Sequence, residues 1–265
     1  MGARLLAAAV GLAIVLPILY VGGGWVTLLV GFVVCVAMDE WAGMTAGTGD
    51  DAPRRRRRGR MVLVPVGLLL FLALAHGPEA ARIPALAVAG MVALLVPMFA
   101  EPDVPRAGDE AMKNLAGLAY APVMLVPLLL LRGRDDGLLM IVYLLAVTWL
   151  GDTGAYFAGR FFGKTKLFER ISPKKTLEGA VGGLIVSALG GAAIAHQAGL
   201  PFAFAEAFVL SALLDVAGVV GDLAESLLKR AWGVKDSGWI MPGHGGILDR
   251  IDSLQIGRAS CRERV

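Results

Sequence analysis

The chain has 265 residues, of which 57% are hydrophobic and 18% charged, with a mean hydropathy of +0.69 and a formal net charge of +3. That is too apolar for a soluble domain of ordinary make-up and places the chain in a bilayer. The two cysteines, Cys35 and Cys261, suggest neither a disulfide framework nor a metal cluster.

Arg4 precedes an apolar stretch from Leu5 to Tyr20, and no small-residue cleavage site follows before the next apolar run. It reads as a retained first span rather than a signal peptide. From Leu5 to Met38 the sequence is almost uncharged. A single helix of that length would reach roughly 50 Å against about 30 Å of hydrocarbon, so the stretch is expected to turn back at Gly22, Gly23 and Gly24, where helix propensity is poor. Further spans are expected at 61–76, 83–100, 115–131, 137–158, 177–197 and 203–228, with a last one starting near Asp249. The fold class is therefore all-α, a polytopic membrane protein with about eight transmembrane helices and a ninth cut short. Three regions follow: helices over 1–147, a polar-motif region over 148–254, and a tail over 255–265.

The tail is anomalous. Ile256 to Val265 reads IGRASCRERV, with three arginines and no apolar stretch, and cannot cross a membrane. It resembles the in-frame translation of a sequencing adapter and is set aside as non-native.

Orientation follows from the basic residues. With the N-terminus inside, 19 of the 25 lysines and arginines face the cytoplasm, only Arg82, Arg132 and Arg134 face outward, and three lie in the tail. The positive-inside rule favours that orientation. The run Arg54 to Arg58 fits anionic lipid headgroups, but a topology anchor is the plainer reading. His76 and His196, at outer helix ends, read as incidental.

Carboxylates within spans are costly and carry the information. Asp215, Asp222, Ser226 and Lys229 follow at spacings of seven, four and three, which puts them on one helical stripe beside Gly218. Glu225 and Lys229, four apart, also fit a simple helix-stabilising pair. The stretch Gly233 to Asp252, GVKDSGWIMPGHGGILDRID, then combines glycines that let backbone N–H groups approach phosphate with Lys235, His244 and Arg250, and with the hard oxygen ligands Asp236, Asp249 and Asp252. That combination suits a nucleoside triphosphate with magnesium, and no GxxxxGK[ST] string is present.

A second cluster precedes it. Asp152 lies near the inner end of its span, the following loop carries Arg160, Lys164, Lys166 and Arg170, and Ser172 with Pro173 reads as the start of a helix bearing Lys174 and Lys175. Cations there oppose the helix dipole, so either an anionic ligand or topology anchoring must explain them.

Three segments make the reading specific: Ser226 to Asp252 with the preceding GDLAES, Asp152 to Lys164 (DTGAYFAGRFFGK), and Ile171 to Gly179 (ISPKKTLEG). In order and spacing they resemble the phosphatidate cytidylyltransferase family, over roughly 148–254. The N-terminal half agrees only in being hydrophobic helices, and the family's last span is replaced here by the tail. The resemblance implies that Asp222 and Asp249 bind Mg2+, with a second cation left open, and that Ser226 acts beside Asp222. It implies that Lys229, Arg230, Lys235, His244 and Arg250 grip CTP phosphates or the lipid headgroup. Asp152, Lys164, Ser172, Lys174, Lys175, Glu178 and Asp236 are expected on the substrate side. His244 stays open between phosphate donor, leaving-group acid and loop-shaping residue.

The implied reaction converts CTP and phosphatidic acid to CDP-diacylglycerol and pyrophosphate, in phospholipid biosynthesis. The partners are CTP, phosphatidic acid and the bilayer, with a homodimer left open and no nucleic acid. The implied location is the inner membrane, multi-pass, with the active site facing the cytoplasm. Two alternatives stand beside this reading. One is a CTP-dependent transferase or kinase acting on another membrane lipid. The other is an ion-coupled transporter, which would place acids at mid-bilayer and repeat its halves; no internal repeat is visible.

Overall fold

The computed structural model describes residues 2–238 and 246–251, the side chains of the first helical turns and of Arg250 and Ile251 excepted. Ten α-helices are found among the described residues. Seven spans there are long and apolar enough to cross a membrane, and the helix Gly2–Val21 precedes them. Many large apolar side chains point outward, with Ile83 78% and Phe99 82% exposed. Exposure on that scale marks a lipid-facing surface, and the chain is a multi-pass membrane protein.

The first turn falls where glycine allows it. Helix α1 (Gly2–Val21) ends and α2 (Gly24–Thr45) begins across Gly22 and Gly23, both at positive φ, a conformation that costs a residue with a Cβ. The Arg132 guanidinium donates to the carbonyls of Leu19 (2.6 Å) and Tyr20 (3.0 Å), satisfying acceptors the end of α1 leaves open.

Next come α3 (Ala52–His76), α4 (Glu79–Ala100) and α5 (Val104–Leu118). A π segment, Ala119–Val123, joins α5 to α6 (Met124–Arg132). Pro122 lies in that segment, where its missing N–H and its ring bar the ordinary ladder. Helix α3 starts nine residues earlier than the expected span. Pro53 stands in its first turn and the arginines continue the helix out of the apolar layer. Hydropathy marks the membrane, not the helix end.

Helix α7 (Gly137–Phe162) leads into a two-stranded antiparallel hairpin, β1 (Lys166–Phe168) and β2 (Ser172–Thr176), followed by α8 (Leu177–Gln197), α9 (Phe204–Ala231) and the short α10 (Leu248–Ile251). The hairpin corrects the expectation of a helix start at Ser172. Thr176 is the N-cap of α8, its hydroxyl accepting from the Gly179 N–H at 3.1 Å. Lys174 and Lys175 sit on a strand, so the unfavourable helix-dipole contact expected for them does not arise.

The chain forms two compact units. One gathers Leu139–Ala231 with the described residues up to Ala8 and from Asp249; the other gathers Ala9–Leu138 with the described part of Trp232–Leu248. In the first, α8 turns a row of small buried residues, Gly183, Ser187, Gly191, Ala192 and Ala195, toward its neighbours. A methyl on Gly191 would lie 2.1 Å from Ser211 Oγ and 2.9 Å from Val147. Such close backbone approach is how helices gain packing energy where lipid removes the hydrophobic drive. Ser211 and Tyr143 share a 2.7 Å hydrogen bond in the same core. In the second unit Trp41, Phe71, Met38 and Leu63 are fully buried. The Trp41 indole donates to the Lys113 carbonyl (2.9 Å) and meets the Trp232 ring edge-on.

Candidate active site

Within the first unit the charged residues of α9 are paired one after another. Asp222 faces Lys175 of β2, Oδ2 to Nζ 2.5 Å, both side chains nearly buried. Strand alternation explains why Lys175 and not its neighbour makes this contact: successive side chains leave opposite faces, and Lys174 is exposed.

One to two turns further along, Lys229 stands between two acids. Its ammonium lies 3.0 Å from Glu225 Oε1 and 2.6 Å from Asp249 Oδ1. Glu225 is 2% exposed and Lys229 8%. Glu225 and Lys229 do form the four-residue pair that their spacing suggests, but both are buried and Lys229 has a second partner on α10. Burying three charges is tolerable only when they are mutually satisfied. Ser226 is half-buried on the same helix. Asp215, at the start of the expected stripe, lies against Gly151 of α7, where a Cβ would fall 1.9 Å from its Oδ1.

The hairpin is locked to α8 by Glu178, whose carboxylate accepts from the Thr165 N–H at 3.1 and 3.2 Å. The Leu177 N–H reaches the Thr165 carbonyl (2.9 Å), and Lys166 Nζ donates to the Pro173 carbonyl at 2.7 Å. Glu178 thus has a backbone role. Ser172 pairs opposite Phe168 in the hairpin. Asp152 is half-buried on α7, while Lys164 and Arg230 are exposed. The structure therefore brings Asp222 with Lys175, and Lys229 with Glu225 and Asp249.

Other expected residues lie elsewhere. Lys235 and Asp236 are exposed on the segment after α9, in the second unit. His244, with the rest of 239–245, lies outside the described residues, as do Asp252, the tail and the side chain of Arg250.

The second unit carries charge chemistry that the sequence reading missed. Glu40, only 4% exposed, accepts from the Ile247 N–H (2.8 Å), the Leu248 N–H (2.9 Å) and Ser237 Oγ (3.2 Å). The adjacent acids Asp39 and Glu40 in an otherwise uncharged apolar helix were the available signal. The arginine run is also partly structural. Arg58 binds Glu101, Glu110 and the Ala100 carbonyl, and Arg60 pairs with Asp39 at 2.8 Å.

Fold and site together define a multi-pass helical membrane protein in which acids of α9 and α10 are paired with the lysines Lys175 and Lys229. The chain belongs to the cytidylyltransferase family, whose model matches residues 2–259. It is similar to proteins named phosphatidate cytidylyltransferase from Staphylococcus haemolyticus, at 34% identity over 97% of this chain and 95% of the relative, and from Staphylococcus aureus strain COL, at 33% over 97% and 95%. A protein of the same name from Brucella suis biovar 1 is 47% identical over 140 residues, and there the match spans about half of each chain, 52%.

Proposed function

We propose that this chain transfers the cytidylyl group of CTP to phosphatidic acid, giving CDP-diacylglycerol and pyrophosphate, at the cytoplasmic face of the inner membrane. The observation that carries the reading is the match along 97% of the chain to a relative of that printed name. The paired lysines and acids at the ends of α9 and β2 support it chemically.

A lipid phosphate oxygen attacks the α-phosphorus of CTP, a new P–O bond forms as the bond to the leaving pyrophosphate breaks, and the nucleophile is already an anion. General-base help is therefore dispensable, and the protein's task is to hold anions together and to offset charge that grows on the leaving group. Lys175 and Lys229 suit that task, because acids hold their ammonium groups in place before substrate arrives. Lys174, Lys164, Arg230 and Lys235 are all exposed, and their positive charge suits steering an anion toward the site.

Magnesium fits the donor set. Asp222 and Asp249 offer hard oxygens, and each stands against a cation already, Lys175 and Lys229. Among the described residues no three His, Cys, Asp or Glu side chains gather as a ready shell. Mg2+ is often held by one or two carboxylates, with substrate phosphates and water completing its coordination. When bound it would neutralise phosphate charge.

The test is pyrophosphate release from purified protein in mixed micelles. Release should require both CTP and phosphatidic acid, and Asp222→Asn or Asp249→Asn should lower it about 100-fold or more, the scale of losing one electrostatic contact in a transition state. Membrane insertion should persist in both variants. Release that is indifferent to phosphatidic acid would refute the substrate assignment, and wild-type turnover in either variant would refute the assignment of the acids.

A further inference from the structure

Glu40 sits on α2 in a membrane-spanning helix, where an ionised acid is expensive. Its partners explain its presence. One carboxylate receives three donors, Ser237 Oγ and the successive backbone N–H groups of Ile247 and Leu248. Those two amides open α10, whose first-turn N–H groups have no partner within the helix. At four residues α10 is too short to form by itself. Ile247 and Leu248 are buried as well.

The glycines on either side are fitted to the same carboxylate. A methyl on Gly238 would lie 2.5 Å from Glu40 Oε1, and one on Gly246 would lie 2.4 Å from Oε2 and 2.1 Å from Ser237 Oγ. Ser237 and Leu248, eleven positions apart, are thus drawn to one side chain. Only a carboxylate has the acceptor capacity for this. A glutamine would bring a single acceptor oxygen and turn an NH2 toward donors. Charge-assisted bonds of this kind are also about twice as strong as neutral ones.

We propose that Glu40 is a positioning residue for the transfer reaction: it fixes the backbone of Ile247 and Leu248, which immediately precedes Asp249 in the chain. The inference rests on the function proposed above for its activity readout, but not for its structural one.

The test compares wild-type protein with Glu40→Gln in detergent by backbone amide exchange and by steady-state kinetics. Exchange in the peptide covering 246–251 should quicken at least tenfold in the variant, with peptides of α7, α8 and α9 unchanged. In the transferase assay kcat should fall at least tenfold, while KM for CTP moves less than threefold, a split that general loss of folded protein would not produce. Unchanged exchange at 246–251, or full kcat in an active preparation, would overturn the proposal. If wild-type protein forms no CDP-lipid, the function reading fails and exchange alone decides the role of Glu40. Should Glu40→Gln not accumulate in membranes, Ser237→Ala removes one donor and leaves the carboxylate. It should raise the same exchange and lower kcat by about threefold, and no change in either would overturn the proposal.

Discussion

Replacing Lys229 by Met leaves the Glu225 and Asp249 carboxylates facing one another without the ammonium that lies 3.0 and 2.6 Å from them. At an effective dielectric of 20, each lost attraction amounts to about 5–6 kcal/mol before solvation is counted. Relief of the lysine's own desolvation offsets much of that, and removal of one partner from a buried pair typically costs about 3–5 kcal/mol net. Side-chain exposures of 10% for Lys229 and 2% for Glu225 leave little solvent to soften the loss. The variant should therefore be about 3–5 kcal/mol less stable in reversible denaturant unfolding from detergent micelles. Adding Glu225→Gln should restore a sizeable part of that stability, because it removes a charge stranded by the first change, but should not restore activity. A single variant within about 0.5 kcal/mol of wild type, the scale of an ordinary surface change, would refute the buried-triad account. So would a double variant no more stable than the single one.

Three further outcomes follow. Lys175→Met should cost transferase activity at least tenfold more than Lys174→Met, because only Lys175 reaches Asp222; equal losses in initial rate would show that the two act alike as loop charge. Gly191→Ala forces a methyl to 2.1 Å from Ser211 Oγ and should cost about 1–3 kcal/mol by overpacking, measured by unfolding. Arg58→Ala should lower stability by about 2–3 kcal/mol, discounted for its 18% side-chain exposure, while specific activity per folded molecule stays within twofold in the micelle assay.

Much of the helical frame was legible because bilayer thickness dictates helix length and glycine punctuates it. The turn at Gly22 and Gly23 and the exact span 177–197 follow from those rules alone. Helix extents beyond the membrane were not legible, since the arginines of α3 are good helix formers that hydropathy scores as loop. The hairpin was hidden for a related reason. Strands of three and five residues, rich in lysine, give no alternating apolar signal.

Of the site, the acids on α9 were visible because a charge in an apolar helix needs an explanation. The choice of Lys175 over Lys174 was invisible without the strand. Glu40 was overlooked because its meaning lies in donors about 200 positions away along the chain. Glu225 looked like an ordinary i,i+4 partner until its burial placed it under Lys229.

The central claim is that cytidylyl, and not a terminal phosphate, passes to the lipid. The most direct measurement follows two labels of CTP, one in the cytosine ring and one in the γ-phosphate, in micelles containing phosphatidic acid. The account predicts that the ring label enters the organic phase with the lipid while the γ-label stays in water as pyrophosphate, in equal amounts. Recovery of the γ-label on the lipid, with the cytosine left in water, would contradict it.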